Sequence, residues 1–187
     1  MTRLGEAVAA AERWLTDIYR LDLDICAARC VLSPERVRAL LRDGAPSTGV
    51  VAVEADGELQ LGLYVDPGDR DDPDAVVEET SHLLCLAWHA VHDRPLSRLV
   101  LEIQGEVDRY AVARLQGRDA FRHFERFAWA PGLDADARDA YAAAHRVGLR
   151  YCRGLARRFP SRGDTPGLLD ELRRFYRTPP EQKLGAA

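Results

Sequence analysis

Around Glu78-Glu79-Thr80-Ser81-His82 the chain is apolar from Ala75 to Val91, apart from His89. Two carboxylates and an imidazole inside such a stretch are costly to desolvate unless they are paired, hydrogen-bonded or bound to a metal ion. The segment must therefore fold against something that answers those groups. As a helix it carries Glu78, His82, Cys85, His89 and His92 on one stripe, in alternating steps of four and three. A second acid-rich apolar segment follows, Leu101-Glu102-Ile103-Gln104-Gly105-Glu106-Val107-Asp108. The pattern predicts two helices facing each other with acids between them.

Upstream the period changes. Gly49 to Glu54, a turn at Asp56-Gly57, and Glu58 to Val65 read as a β-hairpin. The loop 66–74 holds five aspartates but lacks the spacing and closing glutamate of a calcium loop, so it reads as a solvated, helix-capping loop with Asp74 as N-cap. His92-Asp93-Arg94-Pro95 should end the Glu78 helix and leave His92 at the surface.

These residues resemble the gluzincin type of zinc metallopeptidase, the thermolysin-like branch, over about residues 50–114. Glu78-Glu79-Thr80-Ser81-His82 is similar to the H-E-x-x-H motif with glutamate in place of the first histidine. Glu102 lies 20 residues beyond His82, a separation similar to that of the third ligand in that branch. The resemblance implies His82 and Glu102 as metal ligands, with Glu78 as a carboxylate in the missing histidine's place. It also implies Glu79 as the water-activating base, Glu106 as an acid orienting a ligand, and a downstream Tyr141 or His145 steadying the charged intermediate. One histidine with two carboxylates weakens the preference for zinc and admits manganese or iron. The resemblance equally allows a pseudoenzyme that binds no metal and holds a peptide or protein partner uncut, with Glu78 hydrogen-bonded to His82.

Two further readings of the same residues stand beside it. A single E-x-x-H, Glu79 to His82, also occurs in ferritin-like di-iron bundles, which need two such motifs. Alternatively, Glu78, His82, Glu102 and Glu106 form a hydrogen-bonded network with Arg109 or Arg114, and His145 is a core histidine.

The rest of the chain is expected to be helical: 2–20, then a helix from Ser33-Pro34-Glu35 to about Leu41 with Gly44 at its end, then 119–129, 134–159 and 168–177, before a fraying tail at 178–187. The 134–159 helix should bury a stripe of Tyr141, His145, Gly148, Cys152, Leu155 and Phe159, after a Pro131-Gly132 break. The expected fold is α+β and mostly helical, a zincin-like core of hairpin, motif helix and acid-bearing helix. With 187 residues, 47% hydrophobic and 30% charged, one domain suffices. It divides into N-terminal helices (1–44), the core (49–117) and a C-terminal helical extension (118–187).

No apolar window of about eighteen residues exists and the N-terminus lacks a signal peptide's apolar core, so no membrane association and a cytoplasmic location are expected. Cys26, Cys30, Cys85 and Cys152 form no C-x-x-C pair and read as buried thiols. Charge is uneven. Residues 145–187 hold ten basic residues against four acids, a net +6, so with −4 in total the first 144 carry −10. Such an end docks on an acidic body or stays solvated more readily than it binds nucleic acid, for which no aromatic-and-basic motif speaks.

Overall fold

In the computed structural model, which describes residues 2–41, 47–55, 58–126 and 135–185, the chain is an α+β protein, mostly helical, with one antiparallel hairpin. Helix α1, Arg3–Tyr19, begins where the Thr2 hydroxyl accepts from Gly5 N, and buries Val8, Ala11, Leu15 and Ile18. Helix α2, Pro34–Leu40, starts with Ser33 capping Arg36 N and proline in its first turn. Strands β1, Gly49–Ala55, and β2, Glu58–Tyr64, pair in the register Gly49 to Tyr64. Their turn and Gly44 lie outside the described residues. Leu63 also exchanges backbone hydrogen bonds with Cys30 and Leu32, at 2.8 Å each, which ties the segment before α2 to β2.

Helix α3, Pro73–Val91, carries the motif, and α4, Arg98–Leu115, carries the acids. The N-cap of α3 is Asp72, accepting from Asp74 N, and not Asp74 itself. With Pro73 at the first helical position, its missing N–H costs nothing, so the cap moves two residues upstream. The helix closes at His92, which is exposed as expected. Helix α5 spans only Arg122–Glu125 within the expected 119–129, and 127–134, including Pro131-Gly132, lie outside the described residues. Helix α6, Ala135–Arg158, runs close to the expected span, and α7 is Thr165–Arg177.

The expected fraying tail is corrected by a short helix α8, Pro180–Gly185, whose Lys183 is 1% exposed. Lys183 Nζ donates to Gln104 Oε1 at 3.0 Å and lies over the Phe175 and Tyr176 rings, so its charge has the partners that burial demands. The cysteines divide. Cys85 and Cys152 are buried, whereas Cys26 is exposed and Cys30 half-buried at the margins of the turn Ala27–Arg29; all four are free thiols.

Helix α4 packs against α3 on one side and α6 on the other, while α1 packs against α3 and α7. This central position explains why α4 has no polar solvent face and buries both Ile103, Val107 and Tyr110 and its acids. Each fully buried aliphatic or aromatic side chain contributes roughly 1.5–3 kcal/mol. The polar residues of α4 then sort into two faces. Gln104 and Asp108 turn to α1 and α8. Asp108 Oδ1 accepts from the Tyr19 hydroxyl and from Gln104 Nε2 (2.9 Å), and Oδ2 accepts from Ser81 Oγ (2.5 Å). Glu102, Glu106 and Arg109 form the other face and make the candidate site. Among the described residues no helix is long and apolar enough to cross a membrane.

Candidate metal centre

Helical spacing sets the donors. Glu78 and His82 are one turn apart on α3, and Glu102, Glu106 and Arg109 follow the same i, i+4, i+7 rule on α4. Where the helices meet, Glu78, His82 and Glu102 each offer a ligand atom, all within 4.8 Å of one another. His82 Nε2 lies 3.5 Å from Glu102 Oε2. Both atoms are buried without a hydrogen-bond partner among the described residues, as is Glu79 Oε2. Two donors at ~2.1 Å from one tetrahedral ion stand roughly 3.4 Å apart, so the pair has the spacing of ligands that share a cation.

Gly105 makes this possible. A Cβ there would sit 2.9 Å from His82 Nε2 and 3.5 Å from Glu78 Cγ, in the space that the imidazole nitrogen faces. Gly105→Ala should therefore lower metal affinity about 10- to 100-fold, the effect usual for disturbing the groups that orient a ligand. Overpacking of ~1–3 kcal/mol is partly offset by the better helix propensity of alanine, so the fold should survive. Metal competition with a chromophoric chelator checks this; wild-type affinity in the variant would show that Nε2 does not face the ion.

Glu79 stands on the other side of the ring, its Oε2 3.6 Å from His82 Nδ1, an ionic contact longer than a hydrogen bond. A carboxylate there fixes the tautomer that leaves Nε2 free to bind. Glu78 does not bond His82. Its Oε2 pairs with Arg109 at 3.0 Å, and Arg109 reaches Glu106 Oε2 at 2.9 Å. Glu106 thus touches the ligand set through Arg109. It is further flanked by His123 Nε2 at 3.2 Å and His145 Nδ1 at 3.5 Å. The Tyr141 hydroxyl of α6 stands beside Glu102.

The electrostatics follow from crowding acids in a dry site. Burial pushes the Glu78 carboxyl up to about 7, against the pull of Arg109 and His82. Glu102 is raised by burial too, against the charge of His82 and the nearby Tyr141 hydroxyl. Burial alone would depress His82, but the Glu79 contact and the charges of Glu102, Glu79 and Glu78 outweigh it and hold the imidazolium to about 9. Glu106 goes the opposite way. Although burial disfavours its charge, His123, His145 and Arg109 keep it well below the usual carboxylate range. Glu78, Glu102 and His82 all hold their protons more tightly than usual, and a divalent cation bound among them would displace those protons.

The fold places Glu79, Glu106, Tyr141 and His145 around the Glu78, His82 and Glu102 group. It excludes the lower part of the α3 stripe. Cys85 lies among Tyr176, Lys183 and Asp108, and burial raises its thiol to about 12. His89 turns to the Arg94 carbonyl and Trp88. Arg114 donates to the Tyr110 hydroxyl and the Phe159 carbonyl, so Arg109 alone of the two arginines joins the acids. His123 escaped the sequence reading because its helix is four residues long and has no periodicity to reveal an inward face. Comparison of the chain with known protein families, curated proteins and solved structures finds no match to any of them.

Proposed function

We propose that Glu78, His82 and Glu102 hold a divalent metal ion, zinc first and manganese or iron as alternatives for so oxygen-rich a set, and that the protein is a metal-dependent hydrolase resembling gluzincin peptidases. The observation that carries the reading is the buried ion pair His82 Nε2 and Glu102 Oε2, 3.5 Å apart, neither atom with a hydrogen-bond partner among the described residues, beside the gap left by Gly105. A cation held there supplies Lewis-acid polarisation of a carbonyl and makes water acidic enough to attack near neutral pH. The chain supplies the rest. Glu79, which lies against His82 Nδ1, would have to swing to the Nε2 side to accept the proton of the attacking water and return it to the leaving amine. Tyr141, on the Glu102 side, donates its hydroxyl to developing negative charge. Glu106, clamped by Arg109, His123 and His145, fixes Arg109 and through it the Glu78 carboxylate. Four free thiols suit the reducing cytoplasm, where this reading places the protein.

One observation favours the pseudoenzyme that holds a peptide or protein partner. Arg109, 3.0 Å from Glu78, already sets a cation beside one of the proposed ligands. Elemental mass spectrometry separates the two readings. Near-stoichiometric metal in wild type, lost in Glu78→Ala, His82→Ala and Glu102→Ala, is the expected result. A wild-type protein that retains no ion after supplementation with zinc, manganese and iron and subsequent dialysis is the outcome that overturns it.

A further inference from the structure

We propose that a hollow between α6, α7 and α8 binds a small phosphate-bearing ligand, at a site separate from the metal centre. Arg150, Gly154 and Arg157 follow the i, i+4, i+7 rule along α6 and face a cavity of about 620 Å³. Arg158 and, from α7, Arg174 line it too, making four arginines with Glu171 as the single acid. Glu171 holds Arg158 at 3.1 Å and pairs with Arg174 as well, while the Tyr151 hydroxyl donates to it at 3.2 Å. Two of the four arginines are therefore pre-oriented. The other two, Arg150 and Arg157, are exposed and have no ion-pair partner among the described residues.

The floor is rigid and the middle is open. Tyr151 and Phe175 stack with ring centroids 4.1 Å apart, both buried. A Cβ built on Gly154 would meet nothing within 4 Å, so the hollow reaches the helix backbone. The volume falls in the range of small-molecule sites, roughly 300–1,000 Å³. Four arginines against one glutamate leave three positive charges, and guanidinium forks match phosphate oxygens in pairs. A single-stranded nucleic acid would instead need exposed rings for its bases to stack on, and here both rings are covered. The ligand chemistry is that of a di- or triphosphate group.

The test is isothermal titration with inorganic pyrophosphate and tripolyphosphate at constant ionic strength, with citrate as a carboxylate control. One saturable phosphate site per chain is expected, with citrate weaker. Arg150→Gln with Arg157→Gln should weaken it by at least about tenfold. Gly154→Leu, which fills the hollow and keeps every charge, should weaken it similarly. His82→Ala, which removes a donor of the α3–α4 site, should leave it unchanged, so that this proposal and the metal reading fail separately. Thermal unfolding of each variant confirms that the fold is intact. Absence of saturable binding overturns the proposal. So does wild-type affinity in Gly154→Leu, and so does preferential, salt-sensitive binding of a 20-nucleotide single strand, which would make the surface an open basic face.

Discussion

Glu79→Gln should lose hydrolytic turnover by about two to four orders of magnitude, the usual worth of a general base, while its metal content stays at the wild-type level. The asymmetry comes from the two sides of His82. The proposed metal binding draws on Nε2, 3.5 Å from Glu102, whereas Glu79 approaches Nδ1 at 3.6 Å. Glutamine keeps a carbonyl that can accept from Nδ1–H, so the tautomer that presents Nε2 survives, but it has no basic oxygen to take a proton from water. Glu79→Ala removes both functions and should also cost about 10- to 100-fold in metal affinity. The checks are turnover on a quenched-fluorescence peptide library together with elemental analysis of each variant. A glutamine variant that cleaves like wild type removes Glu79 from the base role. A wild-type protein that carries metal and cleaves nothing in the library removes the hydrolase reading and leaves the metal site standing.

Much of this site was legible because two helical periods write it directly into the chain. Glu78 with His82, and Glu102 with Glu106, are i, i+4 pairs set in apolar sequence, and such pairs must share a buried face. The hairpin, the helix cap at Ser33 and the end of α3 at His92 are likewise local events, readable from a few adjacent residues. What escaped depends on contacts between distant segments. The α3 stripe continues in sequence to Cys85 and His89, yet Cys85 meets Asp108, Lys183 and Tyr176 and His89 meets Trp88, so neither reaches Glu102 or Glu106. The buried Lys183 was invisible because an isolated lysine near a proline-rich terminus has the pattern of a solvated tail. Gln104, 79 residues away, and the rings of Phe175 and Tyr176 on the preceding helix make its burial tolerable. Asp108 was similar. It lay in plain view in an acid cluster, but its face of α4 follows from which helix packs there, and sequence alone could not separate it from Glu106.

That second face supports the other large effect. Asp108→Ala should cost about 3–5 kcal/mol, since three buried donors, the Tyr19 hydroxyl, Gln104 Nε2 and Ser81 Oγ, converge on the two oxygens it removes. Asp108→Asn separates shape from charge. Burial lifts the folded carboxyl from an ordinary 3.8 to about 6, even against the hydrogen bonds from Ser81, Tyr19 and Gln104 and the charge of Lys183. The folded state therefore holds the proton more tightly than the unfolded chain. Its stabilisation is complete below about pH 4 and is lost as pH rises through 6, a loss of about 3 kcal/mol by pH 7. Asparagine does not titrate. Relative to wild type it should gain about 2 kcal/mol between pH 4 and pH 7, which for a chain of this size is a relative shift in Tm of roughly 4–8 °C. The comparison must be made as a difference between the two proteins, because Glu78 and Glu102 are also raised and titrate in both. Paired thermal melts across that range decide the matter. A difference that stays flat would mean that Asp108 is already charged at pH 4, and that Lys183, reaching it through Gln104, compensates the carboxylate fully in the folded protein.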